Sequence, residues 1–292
     1  MAELLDPGPS RRGFHRLQSA AICLRKFALS HRRDPDVIEL ARMAQTQSAA
    51  LIRGSLFHVG LAHFYQRMKE EKDWGDPSRW YEPKEAVTQL ARKKMEEEGL
   101  TLWLACVSEI HVCLDAYMAY WNGDRHWTPL MIEEELAIHI GEGGKIVPEG
   151  EGELYTQRVD LVAEDKQGRV WLIDHKTTFR IVNQTLSQHI LDGQFLGYQV
   201  FGQHIFGDKF AGVLVNRAVP RPPFGFDRAT LPVAPGALKD YTANIYRLET
   251  LIKQYEDKSV WEWPGAYSSQ VCYGKYGPCK WIEECRWQKE ES

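Results

Sequence analysis

Hydrophobic positions recur at helical spacing through the first part of the chain and then change to the alternation of strands. Leu17, Ala21, Leu24 and Leu29 predict a helix over 15–30. Ser48 to Lys72 predicts a longer one, carrying Leu51, Leu56, Val59, Ala62, Phe64 and Tyr65. Pro83 is placed to open the next helix and Gly99 to close it. Thr101 to Trp121 is again amphipathic, and Cys106 and Cys113, seven apart on one face, read as small core residues. After Pro129 the pattern predicts strands over Met131–Ile140, Glu153–Ala163 and Arg169–Lys176, the last two joined by a Lys166-Gln167-Gly168 turn. Asn183–Phe206 returns to helical periodicity, Phe210–Ala218 is a strand, Pro220–Phe224 a loop, and Ala237–Lys258 a helix. The sum is an α/β (mixed α+β) chain: a small central mixed β-sheet flanked by helices, with a helical N-terminal section over 30–129.

Composition changes little in this picture. With 43% hydrophobic and 26% charged residues, the 292-residue chain is a folded one and not a disordered one, and its length fits a single domain over 1–292. No apolar run is long enough to predict a membrane span, and Met1–Ser10 lacks the layout of a signal peptide, so the expected location is cytoplasmic. In that compartment six cysteines are thiols or metal ligands before they are disulfides.

Charge is distributed unevenly. Arg11, Arg12, Arg16, Arg25, Lys26, Arg32 and Arg33 face only Glu3 and Asp6 within residues 1–33, a local +5 in a chain whose net charge is −4. The remainder therefore carries −9. These seven side chains are the candidate DNA-binding residues, with Arg92, Lys93 and Lys94 behind them, although a run of charge is more commonly a solvated face.

The sharpest local feature is Val170-Trp-Leu-Ile-Asp174-His-Lys176-Thr-Thr178. On a strand, Asp174 and Lys176 project to one face and His175 to the other. Asp160 lies between apolar residues in the preceding strand, and the short turn makes the pair a hairpin that sets Asp160 beside Asp174. Two carboxylates and a lysine on one face suit a hard divalent cation, Mg²⁺ or Mn²⁺. An isolated D-x-K is usually a surface ion pair; the apolar strand before it and the second acid are what raise it above that.

These residues resemble the metal site of the PD-(D/E)XK nuclease superfamily, in particular its RecB-like exonuclease branch. The D-x-K-T strand is followed by a helix with Gln194-Phe-Leu-Gly-Tyr198, matching the branch's Q-x-x-x-Y, and preceded by Gly54-Ser-Leu-Phe-His58, matching its G-x-x-x-H. Gln157 stands where the family often has glycine, three residues before Asp160. The resemblance implies a restriction-endonuclease-like core over 130–220. It implies metal ligation by His58, Asp160, Asp174 and the backbone carbonyl of His175. Catalytic roles fall to Asp160, Asp174 and Lys176, with Gln194 and Tyr198 facing the site. A glutamate from Glu133-Glu134-Glu135 is a further candidate, and Thr177 a support for the lysine or a phosphate.

The remaining chemistry is sulfur. Cys272, Cys279 and Cys285 fall within fourteen residues, separated by glycines and a proline, one ligand short of a four-thiolate site. Cys23 is the distant fourth. Members of the RecB-like branch, among them CRISPR adaptation exonucleases, AddB-type nuclease domains and phage-encoded relatives, hold a [4Fe–4S] cluster with one N-terminal and three C-terminal cysteines. The present layout resembles theirs, with C-x6-C-x5-C where the familiar spacing is C-x2-C-x5-C. A structural Zn²⁺ is the rival occupant. The implied staple joins Cys23 to the 263–286 region. Trp281 and Tyr276 are candidates to stack bases, though a core role suits them better.

The function so implied is a metal-dependent DNA exonuclease. It would act on DNA ends or single strands in recombination, repair or CRISPR adaptation, with proteins of those processes as partners. The alternatives are a non-catalytic iron–sulfur DNA-binding or assembly subunit and a restriction-type endonuclease.

Overall fold

A computed structural model describes residues 10, 12–31, 48–71, 81–182, 187, 189–232, 235–274 and 277–286. In chain order the helices and strands are α1 (Phe14–Ile22), α2 (Leu24–His31), α3 (Ala49–Glu70), α4 (Tyr81–Glu98), α5 (Leu102–Tyr120), β1 (Thr128–Ile140), β2 (Ile146–Val147), β3 (Glu153–Glu164), β4 (Val170–Thr177), α6 (Gly193–Phe206), β5 (Phe210–Val219), β6 (Gly225–Leu231) and α7 (Pro235–Lys253). The C-terminal region adds α8 (Ser269–Cys272), β7 (Tyr273–Gly274), β8 (Gly277–Pro278) and α9 (Ile282–Arg286). Six strands form a mixed sheet in the order β2-β1-β3-β4-β5-β6. β3 and β4 are an antiparallel hairpin, β4 and β5 run parallel, and β6 returns antiparallel to β5. The mixed sheet flanked by helices is the architecture the pattern predicts.

Local chemistry explains the element ends. The Ser48 hydroxyl accepts from the Leu51 N–H and caps α3. At the β3–β4 turn the Asp165 carboxylate accepts from the Gln167 and Arg169 backbone N–H groups, and Gly168 takes φ +76°. The Asp192 carboxylate caps α6 at Gln194, so the helix begins there and not at Asn183; residues 183–186 and 188 lie outside the described ones. The helix predicted over 15–30 is two helices, because Cys23 adopts an extended conformation (φ −163°, ψ 115°) between them. Two strands of the six-stranded sheet escaped the pattern. β2 spans two residues, and β6 is a polar-interrupted run between prolines, recognisable only once β5 is beside it.

Contacts divide the chain into two compact units. One comprises the described residues of Gln47–Leu136 and Gln157–Leu238, the other those of Ser10–Thr46, Ala137–Thr156 and Lys239–Ser292. In the first, Ile52, Leu56, Phe57 and Val59 of α3 pack with Val87 and Leu90 of α4, with Trp103, Ile110 and Leu114 of α5, and with Leu161, Ile173 and Leu214 of the sheet. Each such burial is worth about 1.5–3 kcal/mol. Cys106 and Cys113 sit in this core as expected, and burial pushes the Cys113 thiol up to about 12. By length and composition α5 is apolar enough to cross a membrane, unlike the expectation from the sequence. Its Trp103, Cys106, Ile110, Cys113, Leu114, Tyr117 and Met118 are buried within the unit, while Leu102, Leu104, Val112 and Tyr120 are exposed.

Candidate metal centre and active site

The β3–β4 ladder ends at the Leu161–Ile173 pair, and the next residues on the two strands are Asp160 and Asp174. There the Asp160 carboxylate accepts from the backbone N–H of His175 at 2.7 Å. In a strand the N–H and C=O of a residue leave on the same side, so the His175 carbonyl faces the same edge. His58 reaches it from α3, with Nδ1 3.4 Å from Asp160 Oδ2. Glu133 completes the group: ligand atoms of His58, Glu133 and Asp160 all lie within 4.8 Å of one another. The two carboxylates are the donors that Mg²⁺ and Mn²⁺ favour, and the imidazole adds a ligand more usual on a transition-metal ion. Glu133 alone among the three consecutive glutamates turns this way, and Glu134 instead pairs with Lys69 at 3.5 Å. The turn has a backbone cause. Glu133 holds φ +51° within β1, a left-handed conformation costing on the order of 1–3 kcal/mol, and Arg158 Nη1 donates to its carbonyl at 2.7 Å.

Asp174 is fully buried and stands next to this group without belonging to it. Its Oδ1 accepts from Lys176 Nζ at 3.0 Å, Gln194 Nε2 at 2.8 Å and Tyr198 Oη at 3.4 Å. Its Oδ2 has Lys176 Nζ at 2.9 Å but accepts no well-directed hydrogen bond, which leaves a lone pair for a cation. Burial pushes the Asp174 carboxyl up to about 6; Lys176 pulls it back and the Asp160 charge adds to the rise. Burial acts on Asp160 in the same sense, but His58, His175, Lys176 and the His175 N–H outweigh it and hold that carboxyl low. Lys176, which burial alone would lower, is raised by Asp174 and Asp160 and stays an ammonium. Gln194 bridges the pair, accepting from Lys176 Nζ at 3.0 Å through Oε1. Gln157, the departure from the family pattern, is buried and donates to the Gln194 carbonyl at 2.6 Å, tying β3 to α6. Thr177 Oγ1 would lie 3.2 Å from a Cβ at Gly54, so the glycine four residues before His58 lets α3 approach the end of β4.

On the opposite sheet face, His175 is built into a polar row that register creates. His175 pairs with Asn216 across β4–β5, and Asn216 with Arg228 across β5–β6. Asn216 Nδ2 lies 2.7 Å from His175 Nδ1, and Arg228 Nε donates to Asn216 Oδ1 at 3.1 Å. Arg228 then forks onto Asp124 at 2.6 Å through both Nη1 and Nη2. Tyr65 stacks on the His175 ring at 5.6 Å and donates to Asp124. Burial pushes His175 down to about 3, so its ring is neutral. Asp124, Asn216 and Arg228 carried no local signal in the sequence, because only cross-strand register brings them together.

In the second unit, Cys23, Cys272, Cys279 and Cys285 line one cavity of about 40 Å³. The β7–β8 hairpin folds the six-residue gap back on itself, and the Cys279 N–H donates to the Cys272 carbonyl at 2.7 Å. All four are free thiols, and among the described residues their sulfurs do not gather within 4.8 Å of one another as the ligand atoms of His58, Glu133 and Asp160 do.

The arginines expected on DNA have interior partners. Arg25 is buried, donating to the carbonyls of Trp263 and Trp261, each at 3.0 Å, and to the Tyr267 hydroxyl at 2.7 Å. Arg16 pairs with the buried Glu249, and Arg12 lies 3.8 Å from the same carboxylate. A buried carboxylate needs such partners, while the Arg12 side chain stays 39% exposed. Lys26 lines the cysteine cavity. Arg11, Arg32, Arg33 and Tyr276 lie outside the described residues. Trp281 is fully buried, donating to Ser30 at 2.9 Å, a core residue and not a stacking platform.

A family model of the PD-(D/E)XK nuclease superfamily matches residues 14–272. The chain belongs to that superfamily. Comparison with curated proteins gives no match. Among solved structures, the crystal structure of SSO0001 is similar at 17% identity, covering 60% of this chain and 79% of that one with a TM-score of 0.30. Membership makes the chain a nuclease by class, with the divalent-metal chemistry of that superfamily.

Proposed function

We propose that the protein is a Mg²⁺- or Mn²⁺-dependent DNA exonuclease of the RecB-like branch, hydrolysing phosphodiesters at DNA ends or in single strands during recombination, repair or CRISPR adaptation. The observation that carries this reading is the convergence of His58, Glu133 and Asp160 within 4.8 Å, beside the Asp174–Lys176–Gln194 set. His58, Glu133 and Asp160, with the His175 carbonyl, would hold the cation, and Asp174 would complete the site through Oδ2. When bound, the cation supplies Lewis-acid stabilisation of the charge that builds on the phosphoryl oxygens. Lys176, kept cationic by its carboxylates, orients the attacking water and offsets charge on the scissile group. Gln194 holds the lysine and Asp174 in one geometry, and Tyr198 fixes Gln194 from one helical turn away at 3.3 Å. The Q-x-x-x-Y helix in contact with Asp174 supports the exonuclease branch over a restriction-type enzyme.

The four-cysteine cavity supports a [4Fe–4S] cluster held by Cys23, Cys272, Cys279 and Cys285 in a structural role, with Zn²⁺ as the alternative occupant. Anaerobic purification followed by incubation with end-labelled single- and double-stranded DNA and Mg²⁺ or Mn²⁺ tests the activity. Mononucleotide release from ends is expected; cleavage only at internal sites would overturn the exonuclease assignment. Colourless protein containing zinc without iron or sulfide would overturn the cluster.

A further inference from the structure

Beside the metal centre, the end of β4 opens onto a cavity of about 750 Å³ that no part of the catalytic set fills. Its walls come from three places: the first turns of α3 (Leu51, Arg53), the segment after the catalytic lysine (Thr177–Ile181), and the loop between β5 and β6 (Val219–Gly225). β4 and β5 are parallel, so this is the space beyond their carboxyl ends, where open α/β sheets characteristically receive ligands. Two apolar side chains stand in it uncovered. Phe179 is 82% exposed and Leu51 64% exposed. Around them are three arginines and one carboxylate. Arg53 is held by Glu109 at 2.6 Å, whereas Arg180 and Arg221 are exposed and enter no ion pair among the described residues. A groove with free guanidinium groups at its rim and an unstacked aromatic ring on its wall is the pattern that grips a backbone by charge and a base by its face.

We infer that this groove binds single-stranded DNA, with Arg180 and Arg221 on phosphates and Phe179 stacked on a base. The single strand is favoured over the duplex because a paired, stacked base presents no face to Phe179. The proline-rich side of the cavity adds apolar surface without hydrogen-bonding groups, which suits recognition indifferent to sequence. Position gives the groove its use. Thr177 lines it and directly follows Lys176, and Leu51 and Arg53 precede His58 on α3, so a strand lying in the groove runs toward the metal centre. This inference rests on the nuclease reading of that centre for the class of its ligand. It adds Arg180 and Arg221 to the phosphate contacts expected of residues 11–33.

The test is fluorescence anisotropy with a labelled oligo-dT strand and the full-length protein, no divalent metal added, over a range of salt concentrations. Wild type is compared with Arg180→Glu/Arg221→Glu and with Phe179→Ala. The double variant is expected to bind at least tenfold more weakly and to lose about 1.4 from the slope of log affinity against log salt, the share of two phosphates. Phe179→Ala is expected to lose about tenfold, with Phe179→Tyr restoring it. Unchanged thermal midpoints, expected at exposed positions, show that folding is intact. Variants that bind as wild type does overturn the groove, and so does a blunt duplex that binds more tightly than the single strand. The two readings fail separately. Wild type that binds in this assay yet leaves DNA intact with Mn²⁺ removes the nuclease and keeps the groove; wild type that cleaves, with groove variants binding normally, does the reverse.

Discussion

The carboxylate site and the cysteine cavity bring distant side chains of one chemistry toward each other by opposite routes. Asp160, Asp174 and Lys176 come from one hairpin, and the register Leu161–Ile173 sets the two acids level before any distant contact is made. Cys23 meets Cys272, Cys279 and Cys285 across most of the chain, and only a break between α1 and α2 and a two-strand hairpin put the four around one cavity. The first site therefore rests on local geometry plus a buried polar row behind it. The second rests on loop closure, whose entropic cost the proposed metal group would offset. Removing one ligand should consequently cost chemistry in the first site and folding in the second.

That contrast can be broken most forcefully at the cysteines. On the proposed reading Cys23→Ser and Cys279→Ser each abolish the bound iron and sulfide and lower stability by several kcal/mol, a fall of about 10 °C or more in thermal midpoint. Full stability with either change would show that the cavity needs no occupant. Next in size is Lys176→Ala, expected to slow DNA hydrolysis about 10²–10⁴-fold while the thermal midpoint moves by only a few degrees. A variant that degrades end-labelled DNA as fast as wild type would end the active-site assignment. Asp124→Ala tests the row behind the site. It leaves Arg228 buried without its carboxylate and should cost about 3–5 kcal/mol in denaturant unfolding. Loss of less than 1 kcal/mol would show that Asn216 and Tyr117, whose hydroxyl accepts from Arg228 Nη2 at 2.7 Å, hold the guanidinium without Asp124. Smallest is Ser48→Ala, which removes the cap on the helix bearing His58 and should cost about 1 kcal/mol. An unchanged midpoint there would place the hold on α3 in its packing alone.

Much of the first site was legible because its spacing is short. Alternation along a strand put Asp174 and Lys176 on one face and His175 on the other, and the structure keeps them so. The same reasoning missed what depends on third parties. Three consecutive glutamates offered no way to choose Glu133, since the choice follows from a left-handed backbone position and the Arg158 clamp on its carbonyl. Basic residues near the N-terminus looked available for phosphate because sequence shows charge and not its partner. Glu249 and the carbonyls of Trp261 and Trp263 are those partners for Arg12, Arg16 and Arg25.

By itself the chain's sequence determined the mixed α/β class and the hairpin that sets two acids and a lysine together. Those are consequences of periodicity and short separation, where few conformations compete. Tertiary structure alone decided which glutamate turns inward, how His175, Asn216, Arg228 and Asp124 line up across three strands and a helix end, and where a free groove remains. Such features arise from register and from which buried charges must be neutralised, and both are settled only when distant segments pack.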